Sequence, residues 1–157
     1  IKEFNVSNKQ IKKGITKIKS IARLQEIKTG KLKKLCINNK LFIDGSHNPL
    51  GAQVINQFLD KIKCNKHIIL GMMENKNHEE YIKFFKNKIK SITTVNIPNQ
   101  KNSINRLKLK EKIKLKNIKI KSKKTIKEAI NSIALKKNDI IIITGSLYLA
   151  GEALNLN

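Results

Sequence analysis

The sequence predicts an α/β domain: a Rossmann-like, mainly parallel sheet flanked by helices. Three observations carry that expectation. Short apolar runs alternate with helix-spaced apolar patterns along the chain. One run, Ile140-Ile141-Ile142-Ile143, is apolar at every position, as a strand buried on both faces must be. Two runs end in a strand–glycine–polar turn, Asp44-Gly45-Ser46 and Thr144-Gly145-Ser146. In a parallel sheet both tips lie on one edge. A chain of 157 residues is long enough for one domain with a real core and too short for two ordinary ones.

Taken in order, Val6 to Ser20 carries Ile11, Ile15 and Ile18 at helical spacing, with Ser7 as N-cap. Leu24 to Ile27 reads as a short strand. Thr29-Gly30-Lys31-Leu32-Lys33-Lys34 reads as a basic turn, and Leu35 to Ile37 as a small extra strand. Leu41, Phe42 and Ile43 form a buried strand ending at Asp44, where Gly45 permits a sharp turn. Asn48 is the N-cap and Pro49 the first position of a helix whose apolar side is Leu50, Val54, Phe58 and Leu59; that helix ends at Ile62-Lys63-Cys64.

His67 to Leu70 is the next buried strand, followed by Lys76 in a polar loop. Glu79 to Ile89 is an amphipathic helix with Tyr81, Ile82, Phe84, Phe85 and Ile89 inward. Ile92 to Ile97 is a strand closed by Pro98, and Ile104 to Leu115 a Lys-rich helix. Asn117 to Ile120 alternates like an exposed strand. Thr125 to Ala134 is a helix facing inward with Ile126, Ala129, Ile130 and Ile133. Leu147 to Leu154 closes the chain as a helix with Ser146 as its N-cap.

Net charge is +23. That could be an electrostatic footprint for nucleic acid, so a basic nucleic-acid-binding module is the alternative reading. Against it, Lys, Ile and Asn are enriched together, arginine is confined to Arg23 and Arg106, and tryptophan is missing. That is the signature of A/T-biased coding rather than of bidentate base readout or base stacking. The expectation is therefore no specific nucleic-acid partner. No apolar stretch reaches about 18 residues, so no membrane span is expected. Cys36 and Cys64 are isolated, without a CxxC pair or a His cluster, which predicts free thiols, no metal site and a cytoplasmic setting. The missing initial Met and signal peptide suggest a fragment of a monomeric cytoplasmic protein.

Candidate chemistry gathers at the two tips. Asp44 and His47 sit between a strand's C-terminal end and a helix N-terminus, where open α/β sheets bind ligands and anions are favoured. The spacing alone leaves His47 equally a turn histidine, and Ser146 is explained by capping alone. Arg23 fits bidentate phosphate or carboxylate recognition, or a chance surface arginine. Lys76 meets a phosphate or is one more solvated lysine. His67 and His78 read as structural or exposed. The chain contains no G-x-x-x-x-G-K-[ST] phosphate loop and no G-x-S-x-G nucleophile elbow.

Four segments resemble, in order, motifs of the folylpolyglutamate synthases and dihydrofolate synthases of the Mur ligase superfamily. They are Ala22-Arg23-Leu24-Gln25, Asp44-Gly45-Ser46-His47-Asn48-Pro49, Gly71-Met72-Met73-Glu74-Asn75-Lys76-Asn77, and Thr144-Gly145-Ser146-Leu147-Tyr148-Leu149-Ala150-Gly151-Glu152. Two departures stand out: Ser20 and Ile21 replace the family's Trp-Pro, and Asn77 its Asp.

The resemblance implies the C-terminal domain of an ATP-dependent ligase. Such an enzyme adds L-glutamate to dihydropteroate or a folate through an acyl phosphate, in folate biosynthesis and one-carbon metabolism. Residues 1–21 would be the tail of a preceding ATPase domain and its linker, and residues 22–157 the Rossmann-like domain. The phosphate loop and Mg²⁺ ligands would belong to that ATPase domain, leaving this chain inactive alone. By the same resemblance Arg23 and Asp44 would meet ATP. Asp44 and His47 would serve catalysis, and His47, Asn48, Ser146 and Tyr148 the substrate. A peptidoglycan-precursor ligase is the rival within the superfamily, disfavoured by the Thr144–Glu152 match.

Overall fold

The computed structural model describes residues 6–17 and 21–157. The elements are α1 (Asn8–Lys17), β1 (Gln25–Ile27), α2 (Lys31–Lys34), β2 (Lys40–Ile43), α3 (Pro49–Asp60), β3 (Lys66–Leu70), α4 (His78–Lys83), β4 (Ser91–Thr94), α5 (Arg106–Glu111), β5 (Lys119–Ser122), α6 (Ile126–Asn131), β6 (Ile140–Thr144) and α7 (Leu147–Leu156). They build the expected architecture: a six-stranded sheet in the order β1-β2-β6-β3-β4-β5. All pairings are parallel except β1 with β2.

Alternate residues of each strand feed two cores. Leu41, Ile43, Ile69, Ile141 and Ile143 meet α2, α6 and α7 on one face. Phe42, Ile68, Leu70, Ile140 and Ile142 meet α3, α4 and α5 on the other. The four-isoleucine run is central, paired on both sides and fully buried, as its uniform composition requires. At the far edge β5 alternates between exposed and half-buried positions.

The caps read from sequence form. Ser7 and Gln10 make a reciprocal capping box, Oγ accepting from the Gln10 N–H and Oε1 from the Ser7 N–H. Asn48, Thr125 and Ser146 cap α3, α6 and α7. The expectations on Ile18 and Ser20 lie outside the described residues.

Several expectations need correction. Leu35–Ile37 is not a strand. After α2 the chain stays in tight turns, and Lys33 Nζ donates to the carbonyls of Cys36, Ile37 and Asn39, which a ladder would need. The inward face of α3 is Ala52, Ile55 and Leu59, whereas Leu50 and Val54 are 74% and 56% exposed. This helix is apolar on more than one side, so periodicity alone did not choose the face. Four helices are shorter than their apolar patterns, among them α6, which ends at Asn131 rather than Ala134. α3 ends at Asp60 and α5 at Glu111 in tight i→i−3 bonds, and α4 unwinds before Asn87, which takes a left-handed φ of 60°.

Candidate functional site

The sheet order creates a crevice. β6 lies between β2 and β3. The helices after β2 and β3 cover one face, and the helix after β6 covers the other. The chain therefore parts on both sides of the β6 tip, at the C-terminal ends of parallel strands, where such sheets bind ligands.

At the β2 tip Asp44 is 4% exposed and is spent on backbone. Oδ1 accepts the Ser46 N–H and Oδ2 the Leu24 N–H, each at 2.8 Å. The Gly45 N–H donates to the Ala22 carbonyl at 2.8 Å. These bonds tie the segment before β1 onto the tip. That segment is strained: Ala22 and Leu24 take left-handed φ values of 54° and 44°. Gln25 helps hold it, Oε1 accepting the Ala22 N–H at 3.0 Å. Between the two strained residues Arg23 is exposed and engages no carboxylate among the described residues. The segment thus buries Ala22, spends Gln25 on a turn and displays Arg23. Gly45 serves differently from expectation: its φ is not left-handed, but a Cβ there would come within 2.3 Å of Leu147 Cδ2.

The β6 tip needs Gly145, with a φ of 106° and space for a Cβ closed by the Gly71 carbonyl at 2.7 Å. Its N–H donates to the Ser46 carbonyl at 3.1 Å, so the two tips are hydrogen-bonded to one another. Beneath them lies Tyr81, fully buried. Its hydroxyl is 2.8 Å from Thr144 Oγ1, 3.2 Å from Ser46 Oγ and 3.3 Å from the Ser46 carbonyl. Burial drives the Tyr81 phenol well above its ordinary range, so it stays neutral. In sequence Tyr81 is one more apolar residue of an amphipathic helix. A phenol that must find a partner when buried was the available signal.

Above the tips His47, Met73, Asn75, Lys76, Ser146, Leu147 and Tyr148 enclose a pocket of about 250 Å³. His47, Ser146 and Tyr148 are thus brought together, with Lys76 added from the loop after β3. Nδ1 of His47 lies 3.3 Å from the Gly45 carbonyl, which can only accept, so Nδ1 donates there and Nε2 has no hydrogen-bond partner among the described residues. Ser146 is 1% exposed and its Oγ accepts the Tyr148 N–H, whereas Tyr148 is 55% exposed. Arg23 and Asp44 do not line this pocket. Asn48 does not line it either; its Oδ1 accepts the Gly51 N–H at 2.9 Å. Asn77 still caps α4, accepting the Glu80 N–H at 3.2 Å. Among the described residues no three His, Cys, Asp or Glu side chains group to hold a metal, and the Asp44 carboxylate already holds two backbone donors.

The other two histidines are structural and buried. His78 Nε2 lies 2.9 Å from the Met73 carbonyl. His67 sits at the opposite, N-terminal rim, with Nε2 3.3 Å from Asp139 Oδ2 and Nδ1 2.7 Å from Ser91 Oγ. Burial lowers the His67 pKa, against the opposing pull of Asp139. Burial pushes Asp139 up, but hydrogen bonds from the Lys136 N–H, His67 and Asn65 outweigh it and hold the carboxyl below its usual range. Both cysteines are free, and burial raises the Cys36 thiol pKa.

The chain resembles the folylpolyglutamate synthase of Mycobacterium tuberculosis complexed with ADP and AMPPCP, at 18% identity and a TM-score of 0.78, over 97% of this chain and 35% of that one. It resembles the folylpolyglutamate synthase of Thermotoga maritima at 21% identity and a TM-score of 0.70, over 98% and 34%. It also resembles the bifunctional folylpolyglutamate synthase/dihydrofolate synthase of Yersinia pestis, complexed with AMPPNP and a Mn ion, at 15% identity and a TM-score of 0.75, over 98% and 35%. At these identities the likeness is one of fold, and the chain spans about a third of the length of those structures. No curated protein matches it in sequence. None of these matches supports a nucleic-acid-binding module. No helix among the described residues is long and apolar enough to cross a membrane. The family model of the Mur ligase glutamate ligase domain matches residues 30–147, most of the chain including both tips, and the chain therefore belongs to that family.

Proposed function

We propose that this chain is the C-terminal domain of a cytoplasmic ATP-dependent ligase that adds L-glutamate to dihydropteroate or a folate. The observation that carries the reading is the junction of the two tips. His47, Lys76, Ser146 and Tyr148 line one pocket there, and the backbone on either side of Arg23 is bonded to the Asp44 tip. Joining an amine to a carboxylate through a phosphorylated intermediate brings anions together, so the chain's part is to supply cations and to orient the incoming amino acid.

Arg23 is the side chain for ATP phosphate. It is a planar donor on a strained, clamped backbone with no described carboxylate to compete. Lys76 and the N-terminus of α7 suit the glutamate carboxylates, since Ser146 Oγ caps only the Tyr148 N–H. His47, by the family resemblance a catalytic and substrate residue, lines the same pocket with Nε2 unpaired among the described residues. Asp44 and Asn48 act through the backbone, by fixing Leu24, Ser46 and Gly51, rather than by touching substrate. ATP would supply the activating phosphate. By the family resemblance, the Mg²⁺ ligands would lie in the preceding ATPase domain. Leu50, Val54, Leu147 and Tyr148, exposed around the tips, are the apolar surface against which that domain closes.

The test is reconstitution. The chain alone should neither hydrolyse ATP nor ligate glutamate. Fused behind the ATPase domain of a folylpolyglutamate synthase, it should restore ATP-dependent glutamate addition. Robust ligation by the chain alone, or a folded fusion that binds ATP but never uses glutamate, would overturn the reading.

A further inference from the structure

At the opposite rim the register lays polar residues across a sheet face that is otherwise apolar. His67, Ser91 and Lys119 are partners across β3, β4 and β5, and two residues further on Thr93 partners Lys121. Residues two apart on a strand share a face. The C-cap of α6, Ser132, and the residues after it close a pocket of about 220 Å³ over this patch.

Four lysines line it: Lys90, Lys119, Lys121 and Lys136. The nearby carboxylate, Asp139, is 2% exposed and already saturated. Oδ1 accepts from Asn65 Nδ2, and Oδ2 from the Lys136 N–H and from His67 Nε2. With Nε2 donating, His67 Nδ1 accepts the Ser91 hydroxyl, so neither is left over. Lys121 Nζ donates to the Ser132 carbonyl. Thr93 is 1% exposed, and its Oγ1 has no hydrogen-bond partner. A buried hydroxyl without a partner is destabilising unless something completes it. The pocket therefore has a surplus of donors and positive charge, and what it lacks is an acceptor.

We propose that this pocket binds a phosphate group, either the free dianion or the terminal phosphate of a small monoester, with Lys119 and Lys121 as charge partners and Thr93 as a hydroxyl donor. A tetrahedral dianion offers acceptors in several directions at once, which suits lysines drawn from β5 and from the segments flanking β4 and β6. The volume leaves room for a short ester chain. The site is independent of the ligase reading.

The test is titration of the full chain with sodium phosphate and, separately, with glycerol 3-phosphate. Ionic strength is held constant with chloride, and heat and backbone amide shifts are followed. The expected result is saturable one-site binding of at least one of the two, with shifts centred on Thr93 and Lys121; the tighter ligand identifies the source. Lys119→Met with Lys121→Met should weaken binding at least about tenfold. Thr93→Val should weaken it too. Lys112→Met with Lys114→Met, which removes the same charge elsewhere, should leave it unchanged. Absence of saturable binding by either ligand, or equal weakening by the two double variants, would overturn the proposal.

Discussion

The two rims of the sheet hold the same three residue types and use them in opposite ways. At the C-terminal rim stand Asp44, Ser46 and His47; at the N-terminal rim, Asp139, Ser91 and His67. Asp139 bonds directly to its histidine, and all three side chains are buried in one closed network. Asp44 instead gives both oxygens to backbone N–H groups, and His47 is left half-exposed at a pocket with a free ring nitrogen. Residue type does not decide which imidazole is available for chemistry. What decides it is where the neighbouring carboxylate spends its lone pairs.

The comparison can be broken first at Asp44. Asp44→Ala removes two charge-assisted bonds and frees the strained Ala22–Leu24 segment, so denaturant unfolding should show a loss of roughly 4 kcal/mol. At the other rim Asp139→Ala leaves the buried His67 donor unpaired and frees two part-buried donors, Asn65 Nδ2 and the Lys136 N–H, and should cost roughly 2–3 kcal/mol. The same rim sets an acid limb. Burial puts the folded pKa of His67 below its ordinary 6.5, so the unfolded chain takes up the proton first. Its contribution is complete above pH 6.5 and shrinks as pH falls through 6.5 toward the folded value. Melting temperature should therefore decline on acidification through that window, and less so in His67→Gln. Tyr81→Phe, which unties the two tips from below, should cost about 1–2 kcal/mol. His47→Ala should come last, at less than about 0.5 kcal/mol, because the ring makes one long bond and packs half in solvent.

Much of this was legible in the residues. The all-isoleucine strand, the caps at Asn48 and Ser146, and the pairing of two strand–glycine tips follow from composition and spacing, because burial on both faces and helix starts leave local marks. What escaped depends on distant contacts. The bond from the Leu24 N–H to Asp44, twenty residues later, leaves no local mark in the sequence. Leu50 and Val54 look like core until Ala52 and Ile55 take the sheet-facing side. Tyr81 looks like an apolar residue until its hydroxyl meets Thr144, 63 residues later. The small strand expected at Leu35–Ile37 failed because one lysine ammonium gathers the carbonyls a ladder would have used.

The measurement that bears most directly on the tips as a ligand site is Arg23→Ala in the enzyme completed by an ATPase domain, with kcat/KM for ATP and melting temperature followed together. An exposed guanidinium held out for phosphate should lower kcat/KM by roughly 100-fold on removal, with the melting temperature unchanged within about 1 °C. Parallel losses of activity and melting temperature, or no loss of activity, would contradict the account.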